Sequence, residues 1–418
     1  MIDVLIVGAG SAGSILAERL SADPARRVTV LEAGPGLEPT VRALTGDALS
    51  LPIGSDSPIV RHYPARLTED PPRDADIVRG ECVGGSGAVN GCYFWRASPE
   101  DFGAVPGWSW PEVEKHYRLV ESRIPARPVA EFSTCTARFV AAADAAGRRS
   151  DITAVPLNIA GGHRLGPGAV FLEPALERSN LTVLTGVRVH RVRFSGDRAI
   201  GVDAEGSAGA LTVDAGHIVL SAGAIGTARL LLNSGIGPAG RTADLPVGQR
   251  SWDHPEWTVS TGWEPAVREP VLEAVLTHGD LEIRPYTTGF GSTSTVVGVA
   301  LMRPRARGTV SLQQIVHRYD SEPADIAALR EGSELVNAML GGATPLGEPV
   351  WSTSQHLSGT APMGTGDDAV VDPRLRVRGV RGLSVADGSV LPAPLSRGPH
   401  ATIAMIGHRA ADFLGSSI

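Results

Sequence analysis

Cysteine is scarce, with three in 418 residues. Cys82, Cys92 and Cys135 are odd in number and lack close metal-ligand spacing, so neither a disulfide framework nor a cysteine metal site is expected. A reducing cytoplasm is the expected compartment. No apolar run reaches the roughly 18 residues that a membrane span needs. The first strand is expected from about Ile2, which leaves no room for a leader. A basic excess is missing too: the net charge is −7, so nothing supplies a global basic face for nucleic-acid phosphates. Internal repeats and low-complexity segments are also absent. Glycine and proline, by contrast, are plentiful, at 50 and 31, which predicts many tight turns. Hydrophobic content of 42% with 20% charge suits a soluble globular protein. The length predicts two domains, possibly interleaved.

The run Asp3–Val7 is short, β-branched and apolar, as in a strand buried on both faces. Gly8-Ala9-Gly10-Ser11-Ala12-Gly13 follows, then a helical pattern through Ile15, Leu16 and Leu20. A second strand, Val28–Leu31, ends in Glu32. This is a βαβ unit, the context that gives a G-x-G-x-x-G its meaning. Gly8 allows the tight turn, Gly10 lets the backbone approach a pyrophosphate, and Gly13 lets the helix lie against the strand. The helix N-terminus then turns free amides and a positive dipole end toward phosphate. Glu32 can accept both ribose hydroxyls and would repel a 2′-phosphate, which disfavours NADP.

Residues 35–80 read as a Pro-rich excursion or lid, and 108–145 as helical. Strands are expected at Leu181–Leu184, Val187–Phe194, Ala199–Asp203 and Ile218–Leu220, with a helix after Gly223. Residues 259–350 change texture, with β-type stretches at Thr295–Leu301 and Thr309–Leu312 and an acidic helix at about Glu322–Leu340. A second glycine-rich loop, Val83–Gly91, suits a flavin, whose extended body needs close backbone approach at two places.

At this point the chain resembles the glucose–methanol–choline (GMC) oxidoreductases from end to end. The first fingerprint with Leu31-Glu32-Ala33-Gly34 resembles the family's dinucleotide motif. Gly84-Gly85-Ser86 through Asn90-Gly91 resembles its first signature. Leu220–Thr227, with Ala222 and Gly223, running to Gly237, resembles its second. Asp253-His254-Pro255 resembles a short turn that follows. His356–Thr360, Val385–Ser389 and Pro399-His400-Ala401 resemble the C-terminal catalytic region. The implied fold is α/β: a Rossmann-like FAD-binding domain (1–55, 74–104, 164–258, 349–418) interleaved with a smaller α+β substrate domain (105–163, 259–348), and a lid at 56–73. The chain is shorter than family members usually are, mostly in the substrate domain and lid.

The resemblance also implies site residues. Oxidation of an alcohol needs a base near working pH, and histidine has that pKa. His356 is the implied proton acceptor, and His400 the residue that orients the substrate oxygen. FAD would be held non-covalently, since Val89, just before Asn90, offers no nucleophile. The final helix, from about Ala401 and Thr402, would point its N-terminus at the flavin pyrimidine ring. Asp387 and Gly388 would contact the flavin or its ribityl chain, and Val187 the adenine. His254 reads as structural packing near the cofactor and His408 as surface. His62, His116, His163, His190, His217, His278 and His317 read as surface or hydrogen-bonded residues.

Within the family the sequence looks most like the group associated with mycofactocin, on Gly84–Tyr93, Val155–Ile159 and Gly166–Ala169. That implies reduced mycofactocin as the alcohol-type substrate and a respiratory acceptor, reached by peripheral contact. Only about 100 residues separate the Asp253-His254 turn from His356, so the roof over the flavin is expected to be thin. The competing readings are a dehydrogenase or oxidase of a small alcohol, choline or sugar, a non-redox flavin lyase, and a non-catalytic flavin-binding module.

Overall fold

A computed structural model describes residues 2–341 and 348–415. Part of the segment 259–348 and the end of 349–418 therefore lie outside the described residues, as does Met1. The central sheet has seven strands, in the order 181–184, 28–31, 2–7, 209–220, 198–206 and 188–195, with 383–385 also pairing 209–220. Its middle is parallel, and the 188–220 portion adds antiparallel hairpins. Val4 to Val7, Val28, Val30 and Leu31 are buried, which is why this stretch reads as continuously apolar rather than alternating. Helices Ser11–Leu20 and His400–Gly415 cover the sheet. Gly407 lets them cross closely, because a Cβ there would stand 2.6 Å from the Ala12 carbonyl oxygen.

A second sheet has six antiparallel strands, in the order 350–353, 255–260, 296–301, 281–285, 274–278 and 152–154. Strand periodicity splits its faces. Ile283, Val297 and Val299 pack with Phe139, Leu329 and Val336 from helices Thr134–Ala145 and Pro323–Leu340. Glu282 and Arg284 alternate with Ile283 onto the other face, toward the site.

Two expectations change. Residues 35–80, expected as a Pro-rich excursion or lid, carry regular structure. They form helix Pro39–Gly46 and a hairpin, Val60–Glu69 with Pro72–Gly80, which joins a four-stranded sheet with 309–310 and 315–316. Residues 108–145 form two helices, Trp110–Glu121 and Thr134–Ala145. Pro125 and Pro128 fall between them, where they block helix continuation. The first starts on a capping box, with Ser109 N and Oγ donating to Glu112 Oε2 at 2.9 and 2.6 Å, a cap worth about 1 kcal/mol. Among the described residues no helix is long and apolar enough to cross a membrane. Cys82, Cys92 and Cys135 are free and buried.

Candidate active site

Five parallel strands end level with one another. The register pairs Val7 with Leu31 and Leu220, Leu31 with Leu184, and Leu220 with Val385. One sheet edge therefore receives Gly8, Glu32, Thr185, Ser221 and Ala386, the position where ligands bind in open α/β sheets. Gly8 has φ of 101°, and a Cβ on it would stand 2.5 Å from the Ser221 carbonyl oxygen. A Cβ on Gly13 would overlap the Gly8 carbonyl oxygen. The helix at Ser11 starts from Gly10 without a side-chain cap, so its first-turn amides are available to an anion.

Glu32 is buried, and burial pushes its carboxyl up to about 7 against the hydrogen bonds it accepts. Those come from the amides of Ala9 at 2.8 Å and Gly34 at 2.9 Å. The Val187 amide donates to the Glu32 carbonyl at 2.8 Å, which sets Val187 beside it. Asp387 is committed through its side chain. It accepts from the Gly223 amide at 2.8 Å, Thr227 Oγ1 at 2.6 Å and the Ser389 amide at 2.8 Å; the carbonyls of Asp387 and Gly388 accept the Val390 amide at 3.3 Å and the Gly359 amide at 3.0 Å, so backbone contact falls to their amides.

The second glycine loop lies against the first. Gly84 donates its amide to the Ala9 carbonyl at 2.8 Å, and a Cβ on Gly85 would stand 2.8 Å from Gly10 Cα. Ser86 Oγ accepts from the Gly80 amide at 3.1 Å, and Gly91 packs on Val271. Arg164, buried and distant in sequence, clamps this loop by donating to the carbonyls of Ala88 at 3.0 Å and Asn90 at 3.1 Å. An uncapped helix end, two interlocked glycine loops and a buried carboxylate level with them are the donor and acceptor set that a dinucleotide needs, so the residues present fit FAD.

His400, the first residue of its helix, bridges both loops. Its Nδ1 lies 3.0 Å from Asn90 Nδ2 and its Nε2 3.1 Å from Ser11 Oγ. The Cys92 amide donates to Asn90 Oδ1 at 3.1 Å, so the Asn90 amide nitrogen faces His400. His400 Nδ1 then accepts, and Nε2 carries the proton. Burial lowers its pKa to about 4, and Phe94 meets the ring edge-on at 5.0 Å. Ala401 and Thr402 are buried behind it, with Thr402 Oγ1 2.6 Å from Tyr117 OH.

His356 stands in a different group. Its Nδ1 lies 2.8 Å from His254 Nδ1, and His254 Nε2 lies 2.9 Å from the Leu395 carbonyl. Asp253 Oδ1 accepts the amides of both His254 and His356, each at 2.8 Å, while Oδ2 accepts from Tyr319 OH and Thr353 Oγ1. Gly398 lies against His356: a Cβ on it would be 3.1 Å from the Tyr93 ring and 3.3 Å from His356 Cε1. Burial, with the neighbouring His254, holds His356 well below the usual histidine range.

Sequence reading missed several of these groups. His254 is the direct partner of His356, beyond mere packing. His408 is buried rather than on the surface, its Nδ1 2.9 Å from His116 Nδ1, because the final helix is enclosed on that side. A buried ion network had no local signal at all. Arg284 donates to Glu282 Oε2 at 2.8 Å and Glu256 Oε2 at 3.2 Å, and Glu282 Oε1 accepts from Tyr93 OH at 2.9 Å and Arg397 at 3.0 Å. Spacing could at most have drawn attention to Asp253-His254-Pro255, already visible as a motif.

Comparison with known proteins agrees with this architecture. The family models for GMC oxidoreductase match residues 2–256 and 304–407. An uncharacterized GMC-type oxidoreductase from the thcA 5′ region of Rhodococcus erythropolis is 37% identical over 99% of this chain and 98% of its own. Choline oxidase of Arthrobacter globiformis is 29% identical over 99% and 94%. The crystal structure of pyridoxine 4-oxidase from Mesorbium loti superposes with a TM-score of 0.87 at 25% identity, covering 99% of both chains. The chain therefore belongs to the GMC oxidoreductase family and is an FAD-dependent oxidoreductase.

Proposed function

We propose that the protein oxidises an alcohol group, with His356 taking the hydroxyl proton as hydride leaves the carbon. FAD, when bound, supplies the hydride acceptor. One observation carries this reading: His356 is fastened at one ring nitrogen by His254 and is held well below the usual histidine range by burial. It is therefore neutral at working pH and carries a lone pair for the proton, while burial makes it a weaker base than an exposed histidine. His400, protonated at Nε2, is a donor and not a base; it is assigned to orienting the substrate oxygen with that proton, which faces Ser11 Oγ at 3.1 Å in this structure. Gly10, Ser11 and the Gly84–Ser86 loop are assigned to the pyrophosphate, Glu32 to the ribose and Val187 to the adenine. The backbone of Asp387–Gly388 and the start of the final helix are assigned to the flavin. Val89 offers no nucleophile for covalent attachment, so acid precipitation is expected to leave the yellow colour in the supernatant.

The preferred donor in this reading is bulky, with reduced mycofactocin as the candidate, electrons passing to a respiratory acceptor and the cytoplasm as the compartment. The short segment between Asp253 and His356 supports it, since a thin roof favours donors that bring remote contacts of their own. A second reading is a small primary alcohol, favoured by relatives named choline oxidase and alcohol dehydrogenase [acceptor]. Anaerobic stopped-flow reduction of bound FAD by ethanol, choline, glucose and reduced mycofactocin separates the two. Reduction by a simple alcohol as fast as by the bulky donor rejects the first. His356→Ala is expected to slow reduction roughly 10²- to 10⁴-fold with FAD content unchanged. His400→Asn should be milder, because asparagine still donates a hydrogen bond. Small, equal losses in the two variants would place the base elsewhere.

A further inference from the structure

We infer that His254 is a positioning residue that fixes the tautomer of His356, so that the lone pair of His356 sits on Nε2, the nitrogen turned away from His254. The inference follows from hydrogen-bond polarity. The Leu395 carbonyl can only accept, and it lies 2.9 Å from His254 Nε2. His254 Nε2 must therefore carry the N–H. In a neutral ring the other nitrogen is then a lone pair, so His254 Nδ1 is an acceptor. His356 Nδ1 stands 2.8 Å from it. Two lone pairs at that separation repel, so His356 must place its proton on Nδ1 and donate. Nε2 of His356 is left with the lone pair. The alternative, a doubly protonated His254 donating to His356, is opposed by burial, which outweighs the neighbouring Asp253 carboxylate and lowers the His254 pKa to about 4.

The scaffold keeps this chain of bonds in line. Asp253 Oδ1 holds the amides of His254 and His356 together, each at 2.8 Å. The two rings meet edge to face, with centroids 5.0 Å apart and planes at 84°, so the Nδ1–H of one points at the Nδ1 of the other. When a substrate hydroxyl gives its proton to His356 Nε2, one N–H bond forms and one O–H bond breaks. The positive charge then spreads to His356 Nδ1–H, and its bond to His254 becomes charge-assisted and stronger. His254 touches neither substrate nor cofactor in this scheme and acts through His356. The scheme rests on the reading of His356 as the base.

The test uses FAD-loaded enzyme with ¹⁵N-labelled histidine. Long-range ¹H–¹⁵N spectra between pH 6.5 and 8 are expected to give His356 a protonated Nδ1 and an unprotonated Nε2, with the resonances assigned by their loss in His356→Ala. Three substitutions of His254 then separate positioning from packing. Asparagine sets its carbonyl where Nδ1 was and should keep the tautomer. Glutamine carries its amide to the Nε2 position, where it meets Leu395 without accepting from His356. It should release the tautomer, as should leucine. With the donor in the panel above that reduces the flavin fastest, leucine and glutamine are expected to slow reduction at saturation roughly 10- to 100-fold, part of what a placed base supplies. KM should stay within about twofold, because substrate contacts are untouched, and asparagine should recover most of the rate. A wild-type His356 protonated on Nε2, or a tautomer and rate indifferent to all three substitutions, overturns the inference. Should the leucine variant not fold, the contrast between asparagine and glutamine decides alone. If His356→Ala leaves flavin reduction intact, the base assignment fails while the spectra still report the tautomer.

Discussion

The two sides of the active site are built from different materials. The side assigned to the dinucleotide is made of backbone: Gly8, Gly13 and Gly85 meet other main-chain atoms so closely that a Cβ has no place, and Glu32 is held by two amides. The roof is made of side chains. Glu256, Glu282 and Arg284 are 2%, 0% and 3% exposed, so charges that water would normally solvate must satisfy one another. Gly298 serves this side in a different way, because a Cβ there would overlap the Glu256 carboxylate. A backbone site tolerates exchange of side chains but not added volume. A side-chain site tolerates the reverse, losing most when one partner of a buried pair disappears.

Three measurements would break or sharpen that contrast. Arg284→Met should have the largest effect. Burial opposes the Arg284 charge, yet the Tyr286, Glu282 and Glu256 oxygens outweigh it and hold its pKa well above normal. Removing it leaves the buried Glu256 without its cation and Glu282 with Arg397 alone, at a cost of about 3–5 kcal/mol. Denaturant unfolding should register that loss, and adding Glu282→Gln and Glu256→Gln should return part of it. No recovery would mean that the network is not coupled. Gly13→Ala comes next, at about 1–3 kcal/mol for overpacking, since its Cβ would overlap the Gly8 carbonyl oxygen. Its main expected consequence is poor FAD retention after gel filtration, whereas the Arg284→Met enzyme that remains folded should keep its flavin. Full FAD content in Gly13→Ala would remove the distinction between the two sides.

The third and smallest effect is on pH. Burial lowers His116, His217, His254 and His400 to about 4 and His408 to about 3, from 6.5. Between those values the unfolded chain binds more protons than the folded one, so stability present above about 6.5 is lost as pH falls toward 4. Glu32, raised from 4.5 to about 7, works in the opposite direction: the folded state binds the extra proton between 4.5 and 7, so its term weakens the fold as pH rises through that window. The histidines outnumber it, and the melting temperature should fall on acidification from pH 6.5 to 4.5. A shallower fall in Glu32→Gln, or none, would misassign the opposing term; a steeper one is expected.

The sequence by itself determined the central sheet, its two glycine loops and the residues grouped along its edge. Each of these is a local matter: a buried parallel strand needs a continuous apolar run, and a turn under a phosphate needs glycine within a few residues of the strand end. The motifs around His356 and His400 were likewise visible as short strings. What those histidines do to their neighbours was not. His254 meets His356 across 102 residues, His400 meets Asn90 across 310, and Arg164 grips Asn90 across 74. The hairpin at 60–80 was invisible because its pairing face is polar and half-exposed, with little alternation to read. The strand that it pairs with, Ile315–Val316, lies far along the chain. Only the tertiary structure decided which ring nitrogen holds a proton and which buried charge faces which, because a hydrogen bond's polarity is set by the group across from it and not by the residue's own sequence.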